Sequence, residues 1–459
     1  MHRVYQKYKP HYYDTLKLAL PVVISQLGHT TVQLADSIIV GHFVGTIALA
    51  SVSLVSSLFI IPMMIGLGIS YGITPLIAQH NGRGNYDECG KLLSNSLFIN
   101  IVTGVLIFLC IYLGSVYVLD HLHQSAEVVR EAKPFFLLMG ASVIPMLVFN
   151  TFKQFAEGLG FTKQAMQISI WGNVINICLG IIFVKGLFGV HPMGIEGVGY
   201  STLIDRCLMA VIMCIYVFRS AIFKKYLKSF VVTKLDMHRC LQILKIGTPV
   251  AMQYTFELSA FTGANILIGT IGATQQAAHQ VAIQMAALTY MMASGVSAAA
   301  AIRSGTHMGA GDHVKLRLSA ITSYHIVLVF MTFTAVVFIA GSHWLPWIVT
   351  SDRSVIVIAS QLLIIAGVFQ LFDGAQVVGL GVLRGMGDVN IPTLITLVAY
   401  WIIGLPIGYF LGIQLHLGAS GIWYGLVLGL LTAALLLYIR FELISKKLHS
   451  KTVLITAKD

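Results

Sequence analysis

From Leu16 to Ile444 the chain is a succession of apolar runs, most of about 20 residues or more, parted by short breaks of Gly, Pro and charged residues. A bilayer's hydrocarbon core is about 30 Å thick and is crossed by a helix of about 20 apolar residues, so each run is long enough to span it. A water-facing surface is excluded by charge: only 10% of the 459 residues are charged and 57% are hydrophobic, against about 25% charged in soluble proteins. A transmembrane barrel is excluded because the runs are continuously apolar and do not alternate with lumen-facing polar residues. The expected class is an all-α, polytopic membrane protein.

Reading the runs against their breaks gives twelve transmembrane helices, at about 14–43, 47–79, 92–118, 134–156, 163–187, 194–219, 242–270, 275–306, 317–341, 355–384, 391–413 and 419–444. The first contains Lys17 and Pro21 and outruns a signal-peptide core, so it reads as a retained span. Basic residues stay on the cytoplasmic side of a membrane. An amino terminus inside puts Arg3, Lys7, Lys9, Arg83, Lys91, Lys163, Arg303, Lys315, Arg317, Arg384, Lys446 and Lys447 there, with the basic residues between Arg219 and Lys245. The other side receives only Arg130, Lys133, Lys185 and Arg353, so both termini are expected in the cytoplasm. The net charge of +11 is thus spent at span ends and not gathered into a nucleic-acid patch. The six cysteines include no CxxC pair and read as small packing residues.

The halves repeat at an offset of about 227 residues. Pro21 in Leu-Pro-Val-Val answers to Pro249 in Thr-Pro-Val, and Gly41 to Gly269. His80-Asn81-Gly82-Arg83-Gly84 answers to His307-Met308-Gly309-Ala310-Gly311, and Glu157-Gly158-Leu159-Gly160 to Arg384-Gly385-Met386-Gly387. Six spans per half make a parallel repeat, which predicts two pseudo-symmetric six-helix lobes with a cavity between them. The expected organisation is an amino-terminal lobe over 1–219, a cytoplasmic connector over 220–241 and a carboxy-terminal lobe with a short cytoplasmic tail over 242–459. The connector reads equally as a hinge strap and as a solvated, positive-inside loop.

Asp36, Glu257 and Asp373 fall inside the first, seventh and tenth spans. A charged side chain at the bilayer centre costs about 2.5–3.5 kcal/mol on insertion scales, so each must face a lobe interior or a wet cavity. Desolvated carboxylates bind a proton or a small cation strongly, which is the chemistry of ion coupling. Glu257 and Asp373 belong to one half and can share a cation, Na⁺ being one candidate, while Asp36 serves the other half. No nucleophile motif, phosphate loop or metal-ligand spacing accompanies them, so neither an enzyme nor an ATP-driven pump is expected, and no cofactor is implied beyond the coupling ion. Asp205 and Arg206 read as inter-helix structural contacts. His279, Gln280 and Gln284 are cavity candidates, His279 more simply a satisfied interior histidine. Phe256, Tyr290, Met291, Met292, Phe369 and Phe372 supply aromatic and thioether surface near the acids, suited to a lipophilic organic cation, and Gln376 joins this substrate set.

At these residues the sequence resembles the multidrug and toxic compound extrusion (MATE) family and its NorM-like branch. The resemblance is strongest over Phe369-Gln370-Leu371-Phe372-Asp373-Gly374-Ala375-Gln376-Val377-Val378 and on to Gly381-Val382-Leu383-Arg384-Gly385. Pro75-Leu76-Ile77-Ala78-Gln79 with Gly82 and Gly84 adds to it, as does Pro249 two turns before Glu257. It implies export of cationic, amphipathic drugs in exchange for Na⁺ or H⁺, with Glu257 and Asp373 matching a carboxy-terminal-lobe cation site. It further implies that Asp36, Asn176 and Thr202 match an amino-terminal-lobe site and that Pro21 matches a proline at which the first helix bends; Pro249 is its counterpart in the repeat. Two positions depart from the pattern: Gly180 where some relatives have an acid or amide, and Phe369 where some have a tyrosine. The expected protein is a monomeric antiporter of the bacterial inner membrane. A flippase of lipid-linked precursors is the first alternative and an ion channel the second.

Overall fold

The computed structural model describes residues 2–121, 124–232 and 234–456. Residues 1 and 457–459, the extremes of the two expected lobes, and Thr233 of the expected connector lie outside the described residues, as do the side chains of Arg3 and Lys7. The described chain is helical almost throughout. Its long helices are α1 (His2–Phe43), α2 (Thr46–Gly82), α3 (Tyr86–Tyr117), α4 (Ala126–Gly158), α5 (Thr162–Lys185) and α6 (Ile195–Arg219), then α7 (Met237–Ile271), α8 (Ala273–Gly309), α9 (His313–Ala340), α10 (Arg353–Gly385), α11 (Asn390–Gln414) and α12 (Gly418–Thr456). Ten of them are long and apolar enough to cross a membrane; α1 and α7 complete the twelve and carry polar residues along their length, Gln26, Gln33 and Asp36 in one, Gln253, Glu257 and Asn265 in the other. Each matches an expected span, with α1 starting earlier than the apolar run does.

The contacts divide the chain into two units, Met1–Val23 with Met252–Asp459, and Ile24–Ala251. This differs from an assignment of residues 1–219 to one lobe and 242–459 to the other: α1 and α7 each change unit part-way along, in both cases two residues beyond the proline, Pro21 or Pro249. A helix-interior proline removes one backbone hydrogen bond and clashes with the preceding turn, so each change of unit lies beside a weak point of its rod.

Polar anchors and glycines explain the exchanged segments. In the first unit, Arg303 of α8 is buried and donates to the His11 carbonyl (2.7 Å), Thr15 Oγ1 (2.6 Å) and His11 Nδ1 (2.7 Å) of α1, with Asp14 at 3.5 Å. Arg303, expected among cytoplasmic loop charges, therefore clamps the start of α1. Gly295 of α8 meets the same helix so closely that a Cβ would lie 3.1 Å from the Ala19 carbonyl oxygen. In the second unit the repeat-related Gly68 of α2 lies against Ala251 of α7, and Gly72 against Gly247. Small residues let helix backbones approach in an apolar solvent where hydrophobicity gives no drive.

The connector over 220–241 keeps Lys224, Lys225, Lys228 and Lys234 exposed, as a solvated basic loop would, while other residues tie it down. It packs on the second unit, where Phe223 is buried against Phe155, Phe161 and Tyr216, and where Tyr226 donates to Asn81 Oδ1 (2.8 Å). The Asp236 N–H reaches Asn95 Oδ1 (2.8 Å), and Arg239 makes a two-pronged pair with Glu88 (3.0 Å for both bonds). Its aromatic residues give it an apolar face that the count of lysines conceals. In the first unit α11 winds as π-helix over Val398–Gly404 and Phe410–Gln414, either side of Pro406, and its Gly408 and Gly412 touch Gly425 and Gly421 of α12. Wide π turns at a proline often mark a functional position.

Candidate functional site

In the first unit α7 carries Glu257 and α10 carries Asp373, 8% and 4% exposed, within electrostatic range of one another. Neither forms a hydrogen bond or ion pair with the described residues, and Asp373 Oδ1 is enclosed without a partner. A buried ion that lacks both a countercharge and hydrogen bonds is very costly. What such a pair can do chemically is take up a proton or a cation, either of which would offset the unpaired charge. Its donor set, two hard carboxylates, fits Na⁺ chemically. Among the described residues no group of three or more His, Cys, Asp or Glu is gathered as a multivalent metal would require.

Beside the acids stands Tyr400, on the first π-helical stretch of α11, fully buried and within electrostatic range of Glu257, Asp373 and Tyr290. Its hydroxyl donates to Gln376 Oε1 at 2.8 Å. A tyrosine in an apolar run reads as packing, so the sequence offered no signal for it. Phe369 and Gln376, expected in the substrate cavity, are instead in this unit's core. Phe369 is 2% exposed between Phe261 (6.0 Å between centroids) and Trp423 (5.2 Å), and Gln376 is held by Tyr400. Phe256, Tyr290 and Met292 are half-buried and Gln284 is exposed. His279 is a satisfied core residue whose Nδ1 accepts from Trp423 Nε1 at 3.1 Å.

In the second unit Asp36 of α1 is half-buried, with Oδ1 enclosed and unpartnered. Asn176 of α5 donates through Nδ2 to Thr202 Oγ1 of α6 at 3.3 Å, which leaves Asn176 Oδ1 enclosed and unpartnered as well. The three expected residues thus supply at least two buried oxygens with nothing to bond. The same unit holds a buried ion pair that the reading of isolated acids missed: Lys153 and Glu157 of α4, 3.9 Å apart and each about one-twentieth exposed, with Lys153 Nζ also 3.4 Å from Ser25 Oγ. Their spacing of four inside an apolar span was the available signal.

The MatE family profile matches this chain twice, over residues 21–182 and 249–410. The chain belongs to the MatE family. The double match sets the two halves on one template at essentially the displacement read from the sequence. Among curated relatives, the MatE protein is 30% identical over 442 residues to a probable multidrug resistance protein NorM of Agrobacterium fabrum, covering 95% of both chains. It is 32% identical over 451 residues to the multidrug resistance protein MdtK of Yersinia enterocolitica, covering 96% of this chain and 97% of that one. Its fold is that of the eukaryotic MATE transporter AtDTX14, with a TM-score of 0.86 at 18% identity over 97% of this chain and 99% of the other. This MatE protein is accordingly a NorM-like, multi-pass membrane transporter of twelve helices in two lobes and not an enzyme.

Proposed function

We propose that the protein exports cationic, amphipathic compounds across the bacterial inner membrane, both termini in the cytoplasm, in exchange for inward Na⁺ or H⁺ and by alternating access of a single chain. The observation that carries this reading is the Glu257/Asp373 pair: two buried carboxyls on different helices, without a basic partner among the described residues, both in electrostatic range of the buried Tyr400. The names of the NorM and MdtK relatives point the same way. Phe256, Tyr290, Met292 and Gln284 take the organic cation, and the Glu257/Asp373 pair and Asp36 take the coupling ion. Phe369 and Gln376 support the carboxyls from behind.

Loading neutralises the carboxyls and shifts which packing is favoured, and a ligand shifts an equilibrium only by its differential affinity for the two states. Pro21 and Pro249 are the hinges in this reading, because each precedes the point at which its helix changes unit. A flippase would present free basic side chains to phosphates, whereas the buried Lys153 is engaged by Glu157 and the Arg206 guanidinium by Ser142. The test is gradient-driven uptake of ethidium into everted vesicles. The Asp36→Asn, Glu257→Gln double variant is expected to fall to passive leakage; unchanged uptake would refute the coupling assignment.

A further inference from the structure

The α5–α6 pair of the second unit buries an acid, Asp205, that the site described above does not use. Asp205 is 4% exposed, one turn along α6 from Thr202, and so on the same helix face. A Cβ built on Gly172 of α5 would lie 2.7 Å from Asp205 Oδ1, so the carboxylate occupies a cradle that only glycine leaves open. Consecutive helices joined by a short loop run antiparallel. The step from Thr202 to Asp205 therefore runs the same way as the step from Asn176 to Asn173, beside Gly172. Asp36 on α1 is within electrostatic range of Asp205 and of Arg206.

A structural acid at this place would make a hydrogen bond or a close ion pair, and among the described residues Asp205 Oδ1 has no hydrogen bond, the Arg206 charge acting on the carboxylate only at longer range. Arg206 follows it in sequence, about 100° around the helix, and is drawn elsewhere: Nη1 donates to Ser142 Oγ at 2.7 Å and the guanidinium stands 5.8 Å from the Phe59 ring centre. Asp205 Oδ1 is enclosed without a hydrogen bond, as are Asp36 Oδ1 and the oxygen of Asn176, which is only 1% exposed. With Thr202 Oγ1 these are four hard oxygen donors. Two carboxylates and one fixed guanidinium leave a single negative charge to be met by a monovalent ion.

We propose that Asp205 is the second carboxylate of the amino-terminal cation site, so that an alkali cation is held by Asp36 and Asp205 with oxygens from Asn176 and Thr202. The proposal rests on the reading of Asp36 as a cation ligand. It displaces the ion relative to one held by an acid at position 180: Gly180 faces Ser201 and Ile39, one turn beyond Asn176 on the side away from Asp205.

Binding of radioactive Na⁺ to the purified, full-length protein in detergent tests this without drug or gradient, in a Glu257→Gln, Asp373→Asn background that silences the other unit. The background is expected to bind Na⁺ saturably, Asp205→Asn to weaken that binding by about tenfold or more, and Asp205→Glu to recover part of it, with gel-filtration profile and thermal unfolding unchanged. Na⁺ binding undiminished by Asp205→Asn, or absent from the background, overturns the proposal. Should the Asn variant fail to fold, Asp205→Glu answers by itself: an altered Na⁺ to Li⁺ preference supports the site and an unaltered one overturns it. Loss of Na⁺ binding here leaves a proton-driven exporter standing, and failed drug export leaves the binding result untouched.

Discussion

Replacing Gly68 by alanine sets a methyl group 2.3 Å from Ala251 Cα, 2.6 Å from its nitrogen and 2.7 Å from its Cβ. Non-bonded carbons rest about 3.5–4.0 Å apart, so α2 and α7 must separate by about 1 Å or more at that level, and the obstacle is backbone that no rotamer change removes. Overpacking of this kind costs about 1–3 kcal/mol. Gly180→Ala is the matched control: its methyl would meet Ser201 Oγ at 3.5 Å and Ile39 Cδ1 at 3.6 Å, ordinary contact, and a mid-helix Gly→Ala exchange gains about 0.5–1 kcal/mol. Gly295→Ala should be milder than Gly68→Ala, because its 2.3 Å contact is with a side-chain methyl of Val23 and its backbone contacts, at 3.0 Å and 3.1 Å, are longer than those at Gly68. Thermal unfolding of the purified variants in one detergent measures all three. The order expected is Gly68→Ala least stable, Gly295→Ala intermediate and Gly180→Ala at or above the parent. A Gly68→Ala protein that melts with the parent would refute the argument that this glycine sets the packing of α7's first segment on the second unit.

Pro21→Ala and Pro249→Ala restore a backbone hydrogen bond at the points where α1 and α7 change unit; each should slow ethidium export several-fold while leaving equilibrium Na⁺ binding intact, and wild-type export by both would remove the hinge assignment. Tyr400→Phe leaves Gln376 Oε1 buried without its donor, at a cost of about 1–3 kcal/mol, to be read as a lowered unfolding temperature; an unchanged one would mean that the hydroxyl is not needed there. Asp312 caps α9, accepting from the Lys315 N–H at 2.9 Å and pairing with its ammonium at 3.0 Å. Burial alone would raise this carboxyl, but the Lys315 contacts outweigh it and hold it below its ordinary value. A depressed carboxyl stabilises the fold above its unfolded pKa, and that benefit fades as pH falls through the folded one. Asp312→Ala is thus expected to cost about 1 kcal/mol at neutral pH and less in acid, and an equal loss at both pH values would contradict it.

The helices were legible because one physical constraint, the thickness of the bilayer, writes a long apolar run for each, and the repeat was legible because prolines and glycines mark the same turns twice. The acids stood out because a charge inside such a run is costly unless it is paired or faces a lobe interior or wet cavity. What stayed hidden depends on long-range contact. Nothing in the first residues of α1 says that Arg303, nearly 300 positions on, will hold them, so the exchange of helix segments between units could not be read. Phe369 and Gln376 are at the right spacing from Asp373 for a cavity, yet which face of α10 meets Phe261, Trp423 and Tyr400 is decided by tertiary packing. Asp205 and Arg206 read as inter-helix structural contacts; that Arg206 finds Ser142 while Asp205 Oδ1 is enclosed without a hydrogen bond is decided by tertiary packing.

The claim beneath all of this is that buried carboxyls bind the ion that drives transport. Its most direct measurement is ethidium export by purified protein in liposomes, driven first by a Na⁺ gradient alone and then by a pH gradient alone, for the parent and for Glu257→Gln, Asp373→Asn. At least one gradient should drive the parent, and neither should drive the variant above its gradient-free rate. Undiminished gradient-driven export by the variant would contradict the account.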